Sequence, residues 1–136
     1  MQVSGQCLCG AVRHRGEAEP QFQAKCYCTD CRKTSAAGHA AMMGFAADAI
    51  RVTGDVKEFH SRADSGAEVT RAFCPTCGIG IHSRNSKMQE LIFLRASTPD
   101  DPNLFAPQMI AWAARAPACD PVNPGVPAFA ERPTVM

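Results

Sequence analysis

Seven cysteines stand in three tight groups: Cys7-Leu8-Cys9, Cys26-Tyr27-Cys28-Thr29-Asp30-Cys31 and Cys74-Pro75-Thr76-Cys77. An eighth, Cys119, stands apart. Sulfur ligands at this density and spacing suit a soft, tetrahedral ion such as Zn²⁺. Seven thiolates are too many for one site and too few for two four-sulfur sites. The simplest partition is a closed set of four, Cys7, Cys9, Cys74 and Cys77, and an open set of three, Cys26, Cys28 and Cys31. Closed sites are structural, whereas three protein ligands with an exchangeable fourth position mark catalytic zinc. A second structural site, completed by Cys119, His39, His60 or His82, is the competing reading of the trio.

A Zn²⁺ held by three thiolates carries net charge −1, which makes it a poor Lewis acid for a carbonyl and a good seat for a soft ligand. A substrate thiol bound there would ionise at neutral pH and keep its nucleophilicity. Chemistry at a thiol sulfur, adding it to an aldehyde or removing it, is therefore preferred over chemistry at bound water.

The elements that must position these sulfurs are short. Sulfurs at i and i+2 of a straight strand lie about 7 Å apart, too far to share one ion, so the chain must curl at Cys7–Cys9 between Gly5 and Gly10. Residues 21–25 read as a strand entering the second cluster, whose three cysteines can converge from one tight loop. In Cys74-Pro75-Thr76-Cys77-Gly78, Pro75 restrains the loop and Gly78 can take a positive φ. Backbone N–H groups in such a turn can point at the thiolates. Ile50–Thr53 and Val56–Ser61 read as a hairpin across Gly54-Asp55. Val69–Phe73 leads into the third cluster. Ile79 and Ile81 alternate as in a strand, and Leu91–Leu94 is a strand-length apolar run. Residues 35–50 are rich in helix formers, and propensity alone predicts a helix there, against Gly38 and Gly44. Eight of the ten prolines lie at 99 or beyond, so the tail is expected to be irregular, with Met109–Ala113 packed on the core.

The 136 residues are expected to form a single domain, 1–136, with the Pro-rich segment of about 99–136 packed on it. Net charge is +1 and pI about 7.6, with no extended basic run, so a nucleic-acid partner is not expected. One Trp, one Tyr and seven Phe offer no stacking platform. No stretch suits a bilayer, and the opening residues lack the charged and apolar regions of a secretory signal. A cytoplasmic protein with reduced thiols, and metal rather than disulfides, is the expectation.

Three stretches carry a family likeness. Gly5-Gln-Cys7-Leu-Cys9-Gly10-Ala-Val12, Cys26-Tyr-Cys28-Thr-Asp-Cys31-Arg32-Lys33 and Arg71-Ala-Phe73-Cys74-Pro-Thr-Cys77-Gly78 resemble the glutathione-dependent formaldehyde-activating family (GFA), which shares its domain with a centromere protein of the V type. The likeness continues through Gly54, Phe59, Ser61, Thr98–Pro102, Ala116-Pro117 and Pro127–Phe129. It implies a mainly β fold of small curled antiparallel sheets pinned by zinc, of the Mss4-like group, with residues 35–50 extended. It also implies two Zn²⁺ per chain: a structural ion on Cys7, Cys9, Cys74 and Cys77, and a catalytic ion on Cys26, Cys28 and Cys31. The implied activity is that of a carbon–sulfur lyase, joining glutathione, or another thiol, to formaldehyde as an S-hydroxymethyl adduct. Arg32, Lys33 and Arg71 are candidates to hold carboxylates of the thiol. Tyr27 stands where members of the family often carry His. Ala118-Cys119 replaces a frequent Trp. The alternatives are a lyase acting on a different thiol conjugate, or a non-catalytic zinc-stabilised binding module.

Overall fold

The computed structural model describes residues 1–133; positions 134–136 of the expected Pro-rich segment lie outside the described residues. The chain is mainly β, as the family resemblance implies. Among the described residues there are ten strands: β1 Gln2–Gln6, β2 Arg13–Glu17, β3 Phe22–Cys26, β4 Ala40–Ala46, β5 Ile50–Thr53, β6 Lys57–Arg62, β7 Glu68–Phe73, β8 Gly80–Asn85, β9 Leu91–Arg95 and β10 Met109–Ala111. One α-helix, α1, runs from Thr29 to Ser35. No helix among the described residues is long and apolar enough to cross a membrane.

Two sheets form, a three-stranded one ordered β1-β2-β5 and a seven-stranded one ordered β10-β3-β4-β9-β8-β7-β6. All pairings are antiparallel except β10 with β3. The run Leu91–Leu94 is apolar throughout because β9 is the middle strand of seven, covered on both faces. Strand alternation divides that sheet's faces. Met43, Phe45, Ile92 and Leu94 point one way and pack with Val3 and Ile50 of the smaller sheet to form the main core. The opposite face carries Cys26, Ala40, Met42, Phe93 and Arg95, which are cross-strand partners or two residues apart. The row Phe93–Ser83–Arg71–Phe59 extends it toward the sheet edge.

Three local expectations differ from the structure. Ile50–Ser61 is not a hairpin: β5 pairs with β2 and β6 with β7, so Gly54-Asp55 is where the chain passes between sheets. Gly54 has φ +96, and a Cβ there would sit 2.1 Å from Ala11 O, so this close crossing needs glycine. The helix that propensity alone predicts over 35–50 is instead the strand β4, as the family resemblance implies. Flanking strands β3 and β9 hydrogen-bond both its edges, and this outweighs the helix preference of Ala and Met. The helix that does form lies inside the second cysteine cluster, where a loop was expected.

The tail is irregular but anchored. Ile110 and Ala111 are buried in β10. Ile110 N–H donates to Pro127 O and Phe129 N–H to Ile110 O, laying residues 127–129 beside that strand.

Candidate metal centres

The first and third cysteine groups lie on turns of different sheets. After β1 the chain curls through residues 7–12: Cys7 N–H donates to Val12 O, Gly10 N–H donates to Cys7 O, and Gly10 takes φ +81. Gly5 serves another purpose. A Cβ on it would lie 2.1 Å from Thr98 O, so it admits the 98–99 segment against β1. After β7, Thr76 and Cys77 offer their N–H groups to Cys74 Sγ at 3.4 and 3.5 Å, and Gly78 turns the chain at φ +78. These turns bring Cys7, Cys9, Cys74 and Cys77 together, all four sulfurs within 4.8 Å of one another. Tetrahedral bonds of about 2.3 Å require an S···S edge of about 3.8 Å. Cys7–Cys9 and Cys9–Cys74 are each separated by 3.7 Å, so the set fits a zinc ion.

The quartet's thiols are unequal before metal binds. Burial works against ionising Cys7, but the Val12 N–H and the thiols of Cys9, Cys77 and Cys74 donate to it and hold it down to about 6. N–H groups of Cys9 and Ile79 lower Cys77. These donors favour the deprotonated sulfur that a metal needs.

The second group is built by a strand end and a helix start. Cys26 closes β3; Cys28 caps α1, its sulfur accepting the Cys31 N–H at 3.3 Å. The three sulfurs lie within 4.8 Å of one another, and no further Cys, His, Asp or Glu among the described residues joins them. Cys119, exposed, and His39, His60 and His82 all stand outside the group. Ala40, Ala111, Met42 and Trp112 wall the trio with apolar surface. Hydrogen bonds from the Cys26 and Cys31 thiols hold Cys28 far below the ordinary thiol range, with the Cys31 N–H and the Arg71 charge adding to them. The same sharing with Cys28 and Cys31, together with burial, pushes Cys26 up. Three sulfurs this close, in an apolar wall, fit a soft cation.

Tyr27, between Cys26 and Cys28, is buried. Its hydroxyl donates to Pro121 O at 3.2 Å and lies 3.5 Å from Asp120 Oδ1. Asp120 Oδ2 in turn meets His39 Nδ1 at 2.5 Å. With Tyr27 N–H donating to Ala111 O, this network straps the tail over the trio's loop. Asp120 carried no sequence signal, and its pairing with His39, read there only as a possible ligand, spans 81 residues.

A family profile described as glutathione-dependent formaldehyde-activating enzyme matches residues 2–115. The chain belongs to that family. Like the family resemblance, the profile spans all three cysteine groups, and Cys119 lies beyond it. A crystal structure of a Rhodobacter sphaeroides protein is similar in fold, with TM-score 0.60 and 21% identity over 93% of this chain and 99% of that one. No curated protein is significantly similar. Within this GFA chain, Arg32 and Lys33 are exposed on α1, while Arg71, half-buried, faces a cavity beside the trio.

Proposed function

We propose that this chain is a zinc enzyme of thiol–aldehyde chemistry, joining glutathione or another thiol to formaldehyde as an S-hydroxymethyl adduct. In the reverse direction it acts as a carbon–sulfur lyase. The observation that carries the reading is the pairing of a closed four-sulfur set with a separate three-sulfur set in a member of this family. Cys7, Cys9, Cys74 and Cys77 would hold the structural Zn²⁺, and Cys26, Cys28 and Cys31 the catalytic one.

When bound by three thiolates, zinc supplies a seat at which a thiol ionises near neutral pH while staying nucleophilic. In the reaction, the sulfur lone pair forms a bond to the aldehyde carbon. The C=O π pair moves to oxygen, which takes up the proton the thiol gave up, so atoms and charge balance. The chain's own part is to position and to exclude water. The Cys31 N–H and the α1 cap orient Cys28 Sγ, Tyr27 fixes the loop from beneath, and Ala40, Met42, Ala111 and Trp112 keep the sulfurs in an apolar wall. Low polarity there strengthens every charge interaction at the sulfurs.

The test is adduct formation from glutathione and ¹³C-formaldehyde, followed by NMR exchange on protein carrying two zinc ions per chain. Exchange faster than in buffer, lost in a folded Cys28→Ala variant, is expected. Exchange no faster than in buffer rejects this substrate pair and turns the assignment to another thiol conjugate or to a binding module.

A further inference from the structure

Arg95 ends the most buried strand of the protein. Only 8% of it is exposed, yet its Nη1 has no hydrogen-bond partner and its Nη2 donates to Thr34 Oγ1 at 3.0 Å. A buried guanidinium with an idle donor is costly unless an anion meets it. No carboxylate pairs with Arg95 or Arg71 among the described residues. Neither guanidinium donates to a sulfur of the trio; Arg71 Nη1 donates to Ser61 Oγ at 2.8 Å, and its other N–H groups are uncommitted.

The two arginines share a face and a cavity. Arg71 pairs with Ser83 and Ser83 with Phe93, and Arg95 follows Phe93 by two residues, so all point to the side of the sheet that carries Cys26. There they border a cavity of about 220 Å³ with Thr34, Phe59, Phe73 and Gly78. No Asp or Glu lines it. Thr34 lies one helical turn beyond Cys31, and Gly78 directly follows Cys77, so the cavity opens between the two metal centres. It forms where the β7–β8 register shifts at Ala72/Phe73, a bulge that re-aims the end of β7. Phe59, 58% exposed on an edge strand, supplies an apolar wall. The volume falls below the roughly 300–1,000 Å³ of drug-sized sites and matches a small charged fragment.

We propose that Arg71 and Arg95 form a carboxylate subsite, so that the thiol accepted at the trio is one carrying a carboxylate. The inference rests on the thiol reading above and specifies its substrate class. A planar carboxylate offers paired acceptors for guanidinium donors, and such charge-assisted bonds are about twice as strong as neutral ones.

The test uses the protein with cobalt(II) in place of zinc, whose visible absorption reports a thiol entering the trio. Titration with 3-mercaptopropionate and with 2-mercaptoethanol compares two small thiols, one with a carboxylate and one without. The carboxylated thiol is expected to bind about tenfold tighter or more, equivalent to about 1.4 kcal/mol. Arg71→Gln and Arg95→Gln should each bring the ratio close to one. Arg71, half-buried at the cavity's edge, keeps the test decisive if the Arg95 variant does not fold. Equal affinities in the wild type overturn the subsite and leave the thiol chemistry standing. A preference that survives both substitutions puts the carboxylate on the metal and overturns the arginine assignment. No spectral response to either thiol overturns the thiol reading, and the subsite with it.

Discussion

Removing Cys77 should unfold the protein more readily than removing Cys28, although each deletes one sulfur of a candidate metal set. Cys7 and Cys9 belong to the β1–β2 turn of the small sheet, Cys74 and Cys77 to the β7–β8 turn of the large one, so the quartet clips the sheets together. The clip closes a chain separation of 65 residues between Cys9 and Cys74. By the logarithmic law used for disulfides, that closure amounts to about 4 kcal/mol at 25 °C. This is a large share of the roughly 5–15 kcal/mol net stability of a domain. At roughly 3–5 °C per kcal/mol for a chain of this length, Cys77→Ala should melt about 12–20 °C lower. The trio closes a separation of only five residues, from Cys26 to Cys31, and the same law gives about 2 kcal/mol there. Pairing of β3 with β4 and β10 also holds that region without metal. Cys28→Ala should therefore lose no more than about half as much. Thermal unfolding by circular dichroism, with zinc per chain measured on each variant, decides the matter. An unchanged midpoint in Cys77→Ala, or equal drops in the two variants, would refute the reasoning.

Three further outcomes follow from local geometry. Ala36, just past α1, is held at φ 55 and ψ 34, where a side chain costs about 1–2 kcal/mol, so Ala36→Gly should raise the melting midpoint by about 3–5 °C. Gly5→Ala would place a Cβ 2.1 Å from Thr98 O and 2.7 Å from Pro99 Cα. Backbone cannot yield as a side chain can, so a loss of about 1–3 kcal/mol or more is expected in urea unfolding. Burial, then repulsion from Arg84, lowers His82 to about 4, with Glu58 opposing and His14 adding to the repulsion. The unfolded chain then binds the His82 proton first as pH falls. Its contribution is complete above about pH 6.5 and declines toward pH 4, by up to about 1.4 kcal/mol per unit. Acid also competes with metal for the thiols, so the readout is the wild-type stability curve minus that of His82→Gln. A difference that stays flat across this window would refute the burial argument.

The cysteine spacing by itself marked which sulfurs could gather around an ion. Sulfur sets within two to five residues converge through local turns, and counting seven thiolates against tetrahedral sites already divided them four and three. The run Leu91–Leu94 likewise announced a covered strand, because an unbroken apolar segment of that length has few other uses. Tertiary structure decided what depends on distant partners. Whether residues 40–46 are strand or helix rests on two neighbouring strands that local propensity does not contain. The apparent hairpin at Gly54-Asp55 separated because β2 and β7 each claimed one arm. Arg95 drew no reading from the sequence. Only the register that ranks it beside Phe93, Ser83 and Arg71 buries it, leaves a donor idle and sets it on the trio's side of the sheet. Local spacing gathers sulfurs within each group; joining Cys7 and Cys9 to Cys74 and Cys77, and walling a cavity with α1, β6, β7, β8 and β9, takes the folded chain.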